Sequence, residues 1–219
     1  VFDAVHDEFV AALVNTIQLT VFGTALCVGL GALAAYSLSR FEFPGRRTTL
    51  TMFLVVQMFP ASLLMIPLYV VMRSVGQLNS LTGVIIAETG FLLPYAILIL
   101  APYFDTIPAE LEEAARIDGC SRFSAFLHVV LPLATPALAA CGVIMFIISW
   151  HELLIPLILN ARPDVMTLPV VIASLVGDVH VFFNLMMAIC LLALAPTVIL
   201  VALLQRYIVE GLSAGAVKG

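Results

Sequence analysis

The chain has 219 residues, of which 63% are apolar and only 11% charged, with a formal net charge of −5. Soluble domains average roughly 45–50% apolar and about 25% charged residues, so nine Lys and Arg and fourteen Asp and Glu cannot give a chain of this size a water-facing surface. The composition excludes an ordinary soluble fold, and a single lysine, Lys218, leaves no basic patch for nucleic acid.

Five stretches are long enough to cross a membrane. Asp, Glu, Lys and Arg are absent from residues 9–39, 48–72, 123–151 and 179–205, and residues 74–104 hold only Glu88. Crossing about 30 Å of hydrocarbon takes about 20 apolar residues at ~1.5 Å each. Runs this long are helices and not the ten-residue alternating strands of a barrel. The prediction is an all-α membrane protein, one transmembrane domain over residues 1–219, with spans at about 11–38, 49–71, 82–104, 130–150 and 184–206.

Span one carries Gly23, Cys27, Gly31 and Ala35 at four-residue spacing, a small stripe that lets a neighbouring backbone approach closely. The same stretch reads Gly29-x-Gly31-x-x-Ala34, formally close to a dinucleotide fingerprint. That fingerprint needs a preceding strand and an open helix N-terminus, which a membrane span does not offer. The loop that follows, residues 40–47, pairs a Pro44-Gly45 turn with Arg40, Arg46 and Arg47. Basic residues here can anchor near lipid headgroups.

Span two contains Gln57-Met58-Phe59-Pro60 and then Pro67. Proline removes an intrahelical hydrogen bond, so kinks are expected where neighbours or a cavity satisfy the freed carbonyls. Span three holds Pro94 and Glu88. A carboxylate near mid-membrane costs about 2.5–3.5 kcal/mol on insertion scales, so Glu88 is expected in the bundle interior or near the interface, away from lipid.

Residues 105–122 form the one charge-dense stretch. A short helix is predicted over about 108–119, with Thr106 or Ile107 at the cap, Pro108 in the first turn, Glu110, Glu112 and Glu113 toward the positive end of the helix dipole, and Gly119 just past the end. Leu111, Ala114 and Ala115 share one face at i, i+3 and i+4. The two alanines make that face shallow enough to dock in a groove of another protein. Helices that lie in the lipid interface carry bulky apolar residues and Lys or Arg, whereas this one is acidic.

Between spans four and five, residues 151–183 read as a long outer loop with turn signals at Arg162-Pro163-Asp164, Pro169 and Gly177-Asp178. Its start, Trp150-His151-Glu152, lacks the second histidine of a zinc protease motif, because Ile155 stands where that residue would be. The four cysteines, Cys27, Cys120, Cys141 and Cys190, show neither metal-ligand spacing nor a disulfide pattern, and no metal site is expected.

Basic residues mark the cytoplasmic side. Arg40, Arg46, Arg47, Arg116, Arg122, Arg206 and Lys218 fall on one side of the predicted spans, and only Arg73 and Arg162 on the other. The 39–48 loop, the 105–129 loop and the C-terminus are therefore predicted to be cytoplasmic. Five spans then put Val1 outside, from which a further helix upstream is expected.

Glu113-Ala114-Ala115, three residues, Gly119, nine residues, then Val129-x-Leu131-Pro132 resembles the E-A-A-x-x-x-G-x(9)-I-x-L-P signature of ABC importer permeases, with Val129 in place of the usual isoleucine. The ending, Gln205 to Gly219, is similar to that of carbohydrate-uptake permeases related to the smaller permease subunit of the maltose transporter. Phe43-Pro44-Gly45 and Gln57-Met58-Phe59-Pro60 agree as well. The resemblance implies a type I ABC importer permease bundle, normally of six spans, in a bacterial-type plasma (inner) membrane. It implies that residues 108–119 are the coupling helix, meeting an ATPase subunit through Leu111, Glu113, Ala114, Ala115, Asp118 and Gly119. The C-terminal tail, residues 207–219, would reach between the ATPases through Gly215, Lys218 and Gly219. Implied partners are a homologous second permease, two ATP-binding subunits, and an external sugar-binding protein or lipoprotein, which the 151–183 loop would touch.

No cofactor is expected on this chain. The P-loop needs Gly-Lys-Ser/Thr, and Lys218 stands between Val217 and Gly219, so ATP and Mg2+ belong on the partner ATPase and this subunit is not itself an enzyme. The predicted cargo is a di- or oligosaccharide, for which Gln57, Glu88, Tyr95, Trp150 and Asn184 are the candidate pathway residues. Three alternatives stand beside it. An ABC permease could carry another solute such as an amino acid, phosphate or glycerol phosphate. An ion-driven carrier could use Glu88, His151 and Glu152 as relay groups, though it leaves the acidic segment without a role. An intramembrane enzyme finds no nucleophile–base pair or metal-ligand cluster in the sequence.

Overall fold

The computed structural model describes the backbone of residues 2–175 and 183–216, and the side chains of residues 8–175, 186–203 and 205. Among the described residues the chain is helical, without strands. Helix α1 spans Phe2–Arg40, α2 Arg46–Gln57, α3 Ala61–Ser74, α4 Leu81–Phe104 and α5 Ala109–Ile117. Next come α6 (Arg122–Ala125), a π-helical turn (Phe126–Val130), α7 (Leu131–Leu133) and α8 (Thr135–Trp150). The segment after α8 holds α9 (Leu154–Leu159), a 3-10 turn (Pro163–Val165) and α10 (Leu168–Ser174), and the long α11 (Phe183–Ala216) follows.

Three segments, Glu8–Arg40, Leu81–Phe104 and Met186–Leu203, are long and apolar enough to cross a membrane. Two bent pairs, Arg46–Gln57 with Ala61–Ser74 and Arg122–Leu133 with Thr135–Trp150, raise the number to five if each pair is one span. The bends are sharp, 99° and 77°, so the kink expected in the span at 49–71 is a full break, and the span expected at 130–150 belongs to a bent pair as well. The causes are local. Pro60 has no N–H to continue α2 and takes an extended ψ of 126° at the start of α3. The last carbonyls of α2 are met by short-range bonds from Met58 N to Val55 O and Phe59 N to Val56 O. At the second break, Pro136 follows Thr135, whose hydroxyl instead donates to Pro132 O at 2.7 Å. Pro67, Pro94 and Pro102 remain inside helices, so proline alone does not decide where a span breaks.

The core forms where α1, α4 and α8 meet. Gly23, Cys27, Gly31 and Ala35 of α1 are all buried. A Cβ on Gly31 would come within 2.7 Å of Ala96 Cβ, closer than packed carbons tolerate. The small stripe is therefore a packing seam between α1 and α4. At the end of this core nearest α5, Tyr36, Phe104 and Phe126 form an aromatic cluster, with Tyr36 and Phe126 centroids 4.6 Å apart.

The 151–175 part of the expected outer loop is folded rather than irregular, which corrects the sequence reading. Leu154–Leu159 and Leu168–Ser174 are helical, and their apolar runs of six and seven residues are too short to show a helical period in the sequence. The segment is fastened to α1 from both ends of a turn. Asn15 Nδ2 donates to Asp164 O and Met166 O, both at 3.0 Å, and Leu168 N donates to Thr16 Oγ1 at 2.7 Å. Asn79, in the left-handed region at φ 53°, accepts from Ala161 N at 2.8 Å. The predicted turn at Gly177-Asp178 lies outside the described residues.

Candidate functional site

Two places in this fold offer chemistry to a partner or a solute. The first is α5, between α4 and α6. Glu110 and Glu112 occupy its first turn and Arg116 its last, each at the end of the helix dipole that favours its charge. The helix starts one residue later than expected, since Pro108 is the N-cap with ψ 130°. Thr106 does not cap it: its hydroxyl donates to Tyr103 O at 2.7 Å and closes α4 instead. Gly119 has φ 95°. Cys120 N donates to Ala115 O and Gly119 N to Arg116 O, at 3.0 and 3.1 Å, so both exposed carbonyls of the last turn are satisfied in a Schellman arrangement. A side chain at Gly119 would strain that left-handed turn.

Leu111, Glu113, Ala114, Asp118 and Gly119 are exposed and Ala115 is half-buried. Ile117 adds an apolar side chain that is 86% exposed, a member of the surface that the i, i+3, i+4 reading missed because it lies off that stripe. Opposite this surface, Glu112 turns inward and is only 8% exposed. It accepts from the Tyr36 hydroxyl and from Arg40 Nε at 3.1 Å, while Arg40 Nη2 donates to Ile107 O at 2.9 Å. Around it, Asp105 accepts from Ser39 Oγ at 2.6 Å and from Arg46 Nη2 at 3.1 Å, and the Arg122 guanidinium lies 5.1 Å over the Phe41 ring. Sequence reasoning treated the three glutamates alike as dipole partners. On a helical wheel Glu112 lies within about 60° of Ala115 while Glu113 is the one opposite the stripe, so spacing along the helix gave no signal that Glu112 turns inward.

The second place is a cavity of about 590 Å3 between the α2–α3 elbow, α4 and the C-terminal end of α8. Gln57 and Tyr95, both candidates from sequence, line it together with Phe59, Phe91 and Glu152. Gln57 Nε2 is buried with no hydrogen-bond partner among the described residues. Phe91 and Tyr95 are four residues apart on α4 and so share a face. Glu152 Oε1 accepts from Leu154 N at 2.8 Å and Ile155 N at 3.1 Å, capping α9.

Glu88 and Trp150 are not among the residues that line this cavity. Glu88 is 1% exposed, in the interior and away from lipid, with neither carboxyl oxygen bonded among the described residues. Its Oε2 is 4.0 Å, and the unpartnered Ser149 Oγ 3.9 Å, from where a Cβ on Gly23 would stand. Trp150 is 2% exposed, stacks on Phe146 at 5.7 Å and donates from Nε1 to Ala193 O at 2.9 Å. It is a strut between α8 and α11. Gly215 falls within the backbone of α11; the Asn184 side chain, Lys218 and Gly219 lie outside the described residues.

Residues 27–214 match the family described as binding-protein-dependent transport system inner membrane component. The chain is 38% identical over 215 residues to the trehalose transport system permease protein SugB of Mycobacterium tuberculosis, covering 97% of this chain and 78% of that protein. It is 36% identical over 207 residues to the sulfoquinovosyl glycerol transport system permease protein SmoH of Agrobacterium fabrum, covering 94% and 73%. Its fold matches a chain of a bacterial ABC transporter involved in the import of the acidic polysaccharide alginate, with a TM-score of 0.79 and 28% identity over 91% of this chain and 75% of that one.

Proposed function

This chain belongs to the binding-protein-dependent transport system inner membrane components, and from that premise we propose that it is the permease subunit of an ATP-driven importer that takes up a sugar delivered by an external binding protein. The observation that carries the reading is α5: a helix capped at both ends, fixed to the bundle through Glu112, Arg40 and Tyr36, and presenting Leu111, Glu113, Ala114, Ile117 and Gly119 outward. A helix held from behind and bare in front transmits a push instead of absorbing it. The name of the similar trehalose permease supplies the cargo class, a di- or oligosaccharide.

In this mechanism two ATPase subunits, which hold ATP and Mg2+, close on ATP binding and carry α5 and its counterpart on a second, homologous permease toward each other. The bundle then moves between inward- and outward-open states as a semi-rigid body. ATP and the loaded binding protein must each bind one state better than the other, because a ligand without preference shifts nothing. The C-terminus is cytoplasmic, and the tail including Gly215, Lys218 and Gly219 reaches the ATPases. Gln57 and Tyr95 face the route of the sugar. Glu88 and Trp150 contribute to the packing around it, and Asn184 is the remaining pathway candidate.

The test is uptake by proteoliposomes containing this chain, its second permease, the ATPases and the binding protein, with labelled trehalose and a panel of neutral oligosaccharides. Uptake is expected only with internal ATP and should persist when ionophores collapse the proton and sodium gradients. Uptake that survives without ATP and stops with the ionophores would instead support an ion-driven carrier using the buried Glu88.

A further inference from the structure

The cavity beside Gln57 and Tyr95 differs in kind from the other hollows among the described residues. A cavity of about 550 Å3 against α1 is lined by Val28, Leu33, Phe126 and similar side chains, with Thr24 its one hydroxyl. The hollow beside Trp150 measures about 250 Å3, below the roughly 300–1,000 Å3 of typical ligand pockets. Of these three hollows, the one at the α2–α3 elbow combines that volume, about 590 Å3, with aromatic faces and several polar groups.

We infer that this cavity is a saccharide-binding site on this subunit, selective for uncharged, polyhydroxylated cargo, with Glu152, Gln57 and the Phe91–Tyr95 face as its recognition elements. The inference rests on the sugar-permease reading above and extends it to where the sugar is held and which sugars are admitted. The observations divide by group. Glu152 spends one oxygen on the α9 N-terminus, and Oε2 has no partner among the described residues, which leaves an acceptor for a sugar hydroxyl. Gln57 offers the complementary donor, since its buried Nε2 has no acceptor. Unmet polar groups at membrane depth are costly, and a hydroxylated ligand or water relieves that cost. Phe91 and Tyr95, one turn apart, give the flat apolar surface on which the C–H face of a pyranose rests.

Location supports the same assignment. Gln57 and Phe59 stand at the break between α2 and α3, and broken helices at membrane depth are tolerated where they are buried in protein or line a water-filled cavity. Glu152 lies just beyond the outer end of α8, on the side predicted to face the binding protein, so the cavity runs from the outer end of the bundle to the elbow.

Charge sets the selectivity. Among the described lining residues Glu152 is the one ionisable carboxylate, and no Lys, Arg or His accompanies it. A uronate, sulfonate or phosphate on the sugar would meet a fixed negative charge with no cation to offset it. The two similar permeases are named for a neutral and an anionic cargo, and the cavity places this chain with the neutral class.

The experiment uses the complete reconstituted transporter with one binding protein common to all variants, so that differences report on the membrane subunit. Uptake of trehalose is compared with uptake of the same disaccharide carrying one C6 carboxylate. Glu152→Gln keeps the amide oxygen that caps α9 while removing the charge. It is expected to narrow the neutral-over-acidic preference by about tenfold. Gln57→Leu is expected to raise the half-saturation for trehalose about fivefold or more without changing the maximal rate. If both variants leave half-saturation and preference within about twofold of the parent, the cavity is not the sugar site, while the permease reading stands. If the parent transporter moves no sugar of either kind, the permease reading for sugar fails and this assignment fails with it.

Discussion

Two regions of the bundle are built on opposite terms. In the first, α5 is tied down by Glu112 to Arg40 and Tyr36, by Asp105 to Ser39 and Arg46, and through the Tyr36–Phe104–Phe126 cluster beneath. At the elbow, α2 has no buried residue and α3 buries only Met65 and Met72. Met58, Leu63 and Ile66 there are 82%, 67% and 78% exposed. Under the proposed mechanism the difference separates two tasks. A segment that receives force needs fixed internal anchors, whereas a segment that changes position along a pathway gains its neighbours from lipid, cargo and the second permease.

The sharpest way to break the rigid side is at the α1–α4 seam. Gly31→Leu forces a side chain into Ala96, and overpacking of this sort costs about 1–3 kcal/mol and sometimes more. With nowhere to relax in a helix pair, the expected outcome is loss of monodisperse protein in detergent. Gly29→Leu, with nothing within 4 Å of its Cβ, is expected to leave the yield intact. Equal behaviour of the two would show that the seam is not tight.

Comparable in size is the anchor of α5. Arg40→Ala leaves the mostly buried Glu112 without its cation, and breaking such a pair from one side costs about 2–4 kcal/mol, the fully buried value reduced for partial solvent screening. Tyr36→Phe removes one hydrogen bond to the same carboxylate and should cost about 1–2 kcal/mol. Thermal unfolding of the purified chain measures both, and the double change Arg40→Met with Glu112→Met should recover much of the loss. The smallest effect has the opposite sign. Glu88 has no partner among the described residues, so Glu88→Leu is expected to stabilise the chain by about 1 kcal/mol. A marked destabilisation would show that the carboxyl is engaged by a group that the assembled transporter supplies.

Much of this was legible in the sequence, for reasons that differ by element. Charge-free runs located the helices because lipid admits few alternatives. Gly119 and the acidic first turn placed α5 within a residue or so, because caps and dipoles are local effects. The seam at Gly23, Cys27, Gly31 and Ala35 was legible from spacing alone. The failures are tertiary. Pro60 breaks its span while Pro94 does not, a choice that depends on what packs beside each residue. Trp150 and Glu112 look from sequence like residues available to a ligand or a dipole, yet Ala193 and Arg40, 43 and 72 positions away, claim them. Glu152 drew notice for a motif it does not complete and as a relay group of an ion-driven carrier, and its place in the cavity follows from the turn into α9.

The proposed role of α5 as the coupling helix is the claim on which the mechanism turns, and one measurement addresses it most directly. Glu113→Lys and Gly119→Leu alter the outward surface and the left-handed turn of α5 without touching the Glu112 anchor. In the reconstituted transporter, ATP hydrolysis and sugar uptake are measured on the same vesicles. The account predicts normal membrane insertion, with uptake per ATP hydrolysed falling by about tenfold or more. Uptake and hydrolysis that remain coupled as in the parent, with both variants correctly inserted, would contradict it.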